Sequence, residues 1–194
     1  MPHPLETAAD ASFERLRAFA GRAEVVPGQP LVPGVWVAAD TRDGRFEGAF
    51  AAEPDGAVRL DMRVPSPGRW LSLNMALDLA VLAPGTVLGL VAELAAEAPL
   101  QVGVTLRSGH DGGHLDIPSP DRLAAGSEPQ VAVALLQVTA ATTRPAPPAW
   151  RNLMLHLPQR DFGLQLRALR LFVHPPATPA ETPAEAPAEG LAGA

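Results

Sequence analysis

An antiparallel β-sandwich is the fold class this sequence predicts, with one short helix before it and a disordered tail after it. Three observations predict it. Apolar residues alternate at period two in one segment after another between residues 25 and 175, the spacing of strands with one buried face. Turn formers such as Pro84-Gly85 separate those segments. Helical periodicity is confined to the first two dozen residues, and the last twenty are a Pro/Ala/Glu repeat.

The N-terminal segment, 1–24, reads as an amphipathic helix over residues 5–21. Leu5, Ala9, Phe13 and Leu16 recur at helical spacing, with Glu14, Arg15 and Arg17 between them. Thr7 with Asp10 resembles a capping box, and Gly21 is a plausible stop. Such a helix either packs across the end or edge of its own domain or docks in a groove on another protein.

The clearest strand signal is residues 70–82, WLSLNMALDLAVL. Leu71, Leu73, Met75, Leu77 and Leu79 share one face, while Ser72, Asn74, Ala76 and Asp78 share the other. After Pro84-Gly85 come 87–93 (VLGLVAE) and 100–106 (LQVGVTL). Residues 131–138 (VAVALLQV) are apolar on both faces, which predicts a central strand. Leu153, Leu155 and Leu157 alternate with Asn152, Met154 and His156. In the last strand, 162–173, Leu164 and Leu166 lie on even positions but Leu169, Leu171 and Val173 on odd ones. A bulge near Arg167-Ala168 keeps both sets on the core side. Weaker strands are expected over 35–38, 45–51 and 57–64, making seven to nine in all. Residues 176–194 have too little apolar surface to offset chain entropy and read as a disordered, extended spacer.

Composition narrows the chemistry. The 194 residues carry a net charge of -6, no Cys and no Tyr, and all 15 basic residues are Arg. Disulfides, zinc-thiolate centres, Cys nucleophiles and Schiff-base lysines are thereby excluded. An acidic chain without Lys is a poor binder of nucleic acid. No apolar run long enough to span a membrane occurs, and the first residues lack the order of a secretory signal. A cytoplasmic location is the default expectation. No hydrolase elbow, phosphate loop or dinucleotide fingerprint is present.

The run of WLSLNMALDL, the hairpin VLGLVAEL and the closing pair RNLMLHLP and FGLQLRALRLFV resembles β-jelly-roll modules of the galactose-binding-like and carbohydrate-binding-module type. The closing L-x-L-x-x-L-x-L pattern is met by Leu164, Leu166, Leu169 and Leu171, and the similarity spans about residues 57–173. The resemblance implies a jelly roll that stacks exposed aromatic side chains on sugars. Without Tyr, that role falls to Trp.

Three groups of residues stand out as candidate sites. Trp70 and Trp150 open strands beside Pro-rich loops and suit sugar stacking, whereas Trp36 lies among valines and suits the core. Asn74 with Asp78, and Asn152 with His156, share predicted outer faces and suit hydrogen bonding to a saccharide. The segment 107–121, RSGHDGGHLDIPSPD, carries His110, Asp111, His114 and Asp116, a nitrogen and oxygen donor set for a divalent metal or an acid–base pair. The same composition suits a solvated loop. The expectation is a noncatalytic module with no cofactor that binds a glycan or a glycan-assembly protein. A subunit of a homo-oligomer or phage-like particle is the alternative, and a metal-dependent enzyme built on His110 and His114 a second.

Overall fold

The computed structural model describes residues 1–144 and 146–176; the predicted disorder of the tail falls almost wholly outside them. One helix, α1 (Pro4–Arg17), precedes twelve strands. They are β1 (Arg22–Glu24), β2 (Pro30–Val32), β3 (Val35–Ala39), β4 (Arg45–Ala52), β5 (Val58–Ser66) and β6 (Leu71–Ala76), then β7 (Val87–Ala96), β8 (Leu100–His110), β9 (Gly113–Ala125), β10 (Gln130–Gln137), β11 (Trp150–His156) and β12 (Phe162–His174). The first sheet has the order β1-β4-β5-β12-β7-β10 and the second β2-β3-β6-β11-β8-β9. All pairings are antiparallel.

The period-two pattern is what stacks the two sheets. Leu60, Leu88, Leu90, Leu164 and Leu171 of the first sheet and Leu73, Met75, Val104, Leu153 and Leu155 of the second are all buried in a single core. Each fully buried aliphatic side chain contributes about 1.5–3 kcal/mol. The phase change in β12 is a bulge: its register on β7 shifts between Leu166 and Ala168, so Leu166 and Leu169 are both buried.

Helix α1 packs on its own domain. Leu5, Ala9, Phe13 and Leu16 join the core. Asp10 pairs with Arg170 of β12 at 2.7 Å, and Arg17 Nε donates to the Gly56 carbonyl. The capping box lies earlier than expected. His3 Nδ1 accepts from the Leu5 N–H, and the Glu6 carboxylate accepts from the His3 N–H, because Pro4 at the first turn suits a helix start. The helix also stops earlier, at Ala18, and residues 22–24 pair with β4 as a strand rather than belonging to the helical segment.

Two strand expectations are corrected. Residues 70–82 are not one strand: β6 ends at Ala76, and residues 77–86 leave the sheet. Asp78 there closes a tight turn on the Ala80 N–H, leaving Leu79 and Val81 exposed. The second is VAVALLQV, which is an edge rather than a central strand. Its Ala134 and Leu136 face the core, while Val131, Val133 and Leu135 are exposed on the outside.

Candidate functional site

The outer face of the second sheet gathers most of the predicted site residues. On β11 the leucines point inward, so alternation sends Trp150, Asn152, Met154 and His156 outward. Register then sets Asn152 and His156 across from Ala76 and Ser72 of β6, and Met154 across from Asn74. On the other side of β11, Trp150 lies across from Gly109, Asn152 from Arg107, Met154 from Thr105 and His156 from Gly103. Strand β9 adds His114 and Asp116, across from Gly109 and Arg107. Trp150, Asn74, Asn152, His156, His114 and Asp116, drawn from three separate sequence segments, therefore lie on one surface.

Both rings of β11 rest above glycines of β8. A Cβ on Gly109 would overlap the Trp150 indole, so only glycine lets the ring lie against the backbone. Trp150 as a whole stays 42% exposed. At the other end a Cβ on Gly103 would meet His156 in ordinary contact at 3.4 Å.

Between the rings the floor is polar and ordered. Arg107 Nε and Nη2 donate to the two Asp116 oxygens at 2.7 Å each, a bidentate fork. Arg107 holds the Asp116 carboxyl below its ordinary range, chiefly through that hydrogen bond. His156 Nε2 shares a hydrogen bond of 2.9 Å with the Thr105 hydroxyl. Burial pushes the His156 imidazole below its ordinary pKa, and the Arg107 charge pushes the same way. Asn74 is buried, not solvated as its alternation suggested, and its amide donates to the Ser72 hydroxyl at 3.0 Å and carbonyl at 3.2 Å. Thr105 and Met154 are buried on this face as well, so the floor lies below its rim.

The remaining candidates lie elsewhere. Trp70 is 45% exposed immediately before β6, eight positions of register beyond Trp150. Asp78 sits past the end of β6, not beside Asn74. The segment 107–121 is not a solvated loop but the two arms of the β8–β9 hairpin, turning at Asp111 and Gly112, whose φ is +85°. The edge position of β9 explains how that strand holds Pro118 and Pro120. Among the described residues no three His, Asp or Glu side chains converge as a metal centre requires. His114 Nε2 comes within 3.9 Å of Asp116, but the fork from Arg107 already occupies that carboxylate.

Sequence reading missed Arg107, Thr105, Gly103 and Gly109, whose importance comes only from register. It also missed Arg151. This buried guanidinium closes one end of the core, donating to Ser108 Oγ at 3.0 Å and to the carbonyls of Asp78 and Ala80 at 3.2 and 2.6 Å. Among the described residues no helix is long and apolar enough to cross a membrane.

No protein-family model matches this chain, and no curated protein matches it in sequence. Solved structures do match in fold. A family 4 carbohydrate-binding module is 12% identical, with a TM-score of 0.54 over 78% of this chain and 95% of that one. A cyclase from Fischerella sp. TAU, solved with 4-(1H-indol-3-yl)butan-2-one, is 16% identical, with a TM-score of 0.54 over 92% of this chain and all of its own. The Stig cyclase Fisc from the same source is 16% identical with a TM-score of 0.52. The chain thus has the jelly-roll fold of carbohydrate-binding modules, as its strand pattern implied, and cyclases use that fold too.

Proposed function

We propose that this chain is a noncatalytic binding module that holds a glycan on the outer face of its second sheet. The observation that carries the reading is Trp150, its indole packed against Gly109 and the residue 42% exposed, at the end of a polar floor. A sugar ring presents an apolar C–H face and a rim of hydroxyls. An exposed aromatic plane takes the first, and fixed donors and acceptors take the second. Arg107, Asp116, Asn152 and His156 supply those groups on three adjacent strands, Arg107 standing across from both Asn152 and Asp116 and His156 lying further along β11. The fold shared with a carbohydrate-binding module supports the reading by analogy only. Calorimetric titration and array binding with plant and capsule-type polysaccharides test it. Binding by the native chain that is lost in Trp150→Ala is the expected result. A folded native protein that binds nothing across the panel overturns it.

A second reading, a self-associating structural subunit, is favoured by a different surface. Val131, Val133 and Leu135 on β10 and Phe172 on β12 are all at least 49% exposed on the outside of the first sheet. Contiguous apolar surface of this kind marks interfaces. The occupant this reading requires is the same face of a second copy. Light scattering on the native chain and on Val133→Glu checks it: a native dimer that the variant splits supports it, and a native monomer ends it.

A further inference from the structure

We propose a second ligand site, on the outer face of the first sheet, for a neutral hydroxyl-rich ligand of about one or two sugar rings. It is separate from the Trp150 face and does not depend on it. An open groove of about 520 Å³ runs across β5 and the start of β12, within the size range of small-molecule sites. Its floor is an ion network. Arg59 bridges Asp61, at 2.8 Å, and Glu97, while Arg22 reaches Asp61 from the rim at 3.4 Å. Gly163, across from Asp61 on β12, leaves the network uncovered: a Cβ there would stand 3.2 Å from Asp61 Oδ1 and 3.0 Å from Glu97 Cδ. Along the opposite wall Arg63 lies across from Glu47 without forming an ion pair among the described residues. Arg160 and Asp161 close the end, Arg160 bonded to the Pro99 carbonyl and Asp161 to the Val64 N–H.

The charge arithmetic selects the ligand. Four guanidiniums and four carboxylates line the groove, so it has no net charge with which to hold an anion or a cation. Instead it presents donors that cannot accept beside acceptors that cannot donate. A hydroxyl does both, and vicinal hydroxyls can bridge a guanidinium to its neighbouring carboxylate. Its ion pairs hold Arg59 and Asp61 in place, so those two side chains have less rotamer freedom to lose on binding. The one aromatic residue lining the groove among the described residues, Phe162, is half-buried and packs against the core. The groove therefore suits a terminal sugar held by its hydroxyl edge rather than a stacked chain.

Amide-shift mapping of the full chain tests this, using the methyl glycosides of glucose, galactose, mannose and xylose, with methyl glucuronide and glucosamine as charged probes. At least one neutral glycoside is expected to shift the amides of Gly48, Gly163 and Arg63. Those shifts should vanish in Arg63→Ala, an exposed substitution that leaves the core intact, and persist in Trp150→Ala. The proposal is overturned if no neutral glycoside moves these amides, if Arg63→Ala and Glu47→Ala both retain the shifts, or if a charged probe moves them more than any neutral one. A native chain in which these amides shift but no glycan moves the amides around Trp150 would sink the proposed function and leave this site standing.

Discussion

The indole of Trp150 occupies the space that a side chain at Gly109 would need. The position of a candidate ligand platform is thus set by the absence of a side chain on the neighbouring strand. Gly109→Ala should push the ring off the strand. Because the ring is already partly exposed and can move outward, the cost to stability should stay near the low end of overpacking, about 1 kcal/mol. Glycan binding should fall as far as in Trp150→Ala, and tryptophan emission should shift to the red. Denaturant unfolding with fluorescence detection reads both, and unchanged emission would count against the stacked geometry.

Asp116 tests the polar floor. Arg107 depresses its carboxyl pKa in the folded state, so the pair stabilises the fold above the ordinary carboxyl range. That contribution is lost as pH falls through the depressed folded value. Both side chains are about a third exposed, so solvent screening keeps the effect near 1 kcal/mol. Asp116→Asn should cost about that much at neutral pH and weaken glycan binding more than it weakens the fold. Paired urea melts and calorimetry separate the two losses.

His156 also makes stability fall as pH falls, but here the fold favours the neutral form rather than the charged one. Burial lowers its folded pKa below the ordinary 6.5, so the folded state resists protonation. The stability that comes from keeping it neutral is fully present above about pH 6.5. It is lost as pH falls from there through the folded value. His156→Gln should flatten that part of the stability curve and leave the region above it unchanged. Urea unfolding of both proteins from about pH 8 down to about pH 5, a span around the ordinary imidazole value, decides it. Equal slopes in the two proteins would refute the assignment.

Arg151 should be the most costly single substitution on β11. Its guanidinium makes three hydrogen bonds in a buried setting, and hydrogen bonds to a charged group are each worth about 1.5–3 kcal/mol. Arg151→Ala also frees the 77–86 segment that its bonds to Asp78 and Ala80 hold. A loss of about 3 kcal/mol or more is expected in urea melts, with faster amide exchange across that segment. A loss under about 1 kcal/mol would show that water satisfies those groups.

Zinc or calcium should leave the melting temperature unchanged, because Arg107 already donates to both Asp116 oxygens and no three donor side chains converge among the described residues. A metal-dependent rise in melting that disappears in His114→Ala would restore the metal reading of the hairpin.

Alternation in the sequence by itself determined the two-sheet sandwich, because a period of two sends every second side chain to the same face whatever its partners are. Leu71, Leu73, Met75, Leu153 and Leu155 are legible in that way, and so is the bulge before Ala168, where the inward parity changes. The buried face of α1 is legible from the spacing of Leu5, Ala9, Phe13 and Leu16. What lies beside what was not legible. VAVALLQV reads as central because both its faces are apolar, yet burial depends on whether a neighbour covers the face, and among the described residues Val131, Val133 and Leu135 on the outside of β10 are left exposed. Asn74 reads as solvated, but it is buried, bonded to Ser72 with Trp36 and Met154 across from it on the neighbouring strands. Trp150 and Asn152 read as site residues, while Gly109 and Arg107, which position them, are silent until β8 and β11 are in register. Pairing register is a long-range property, decided by the joint packing of both sheets. The local sequence therefore specifies faces and periods, and the tertiary structure decides which polar residues meet.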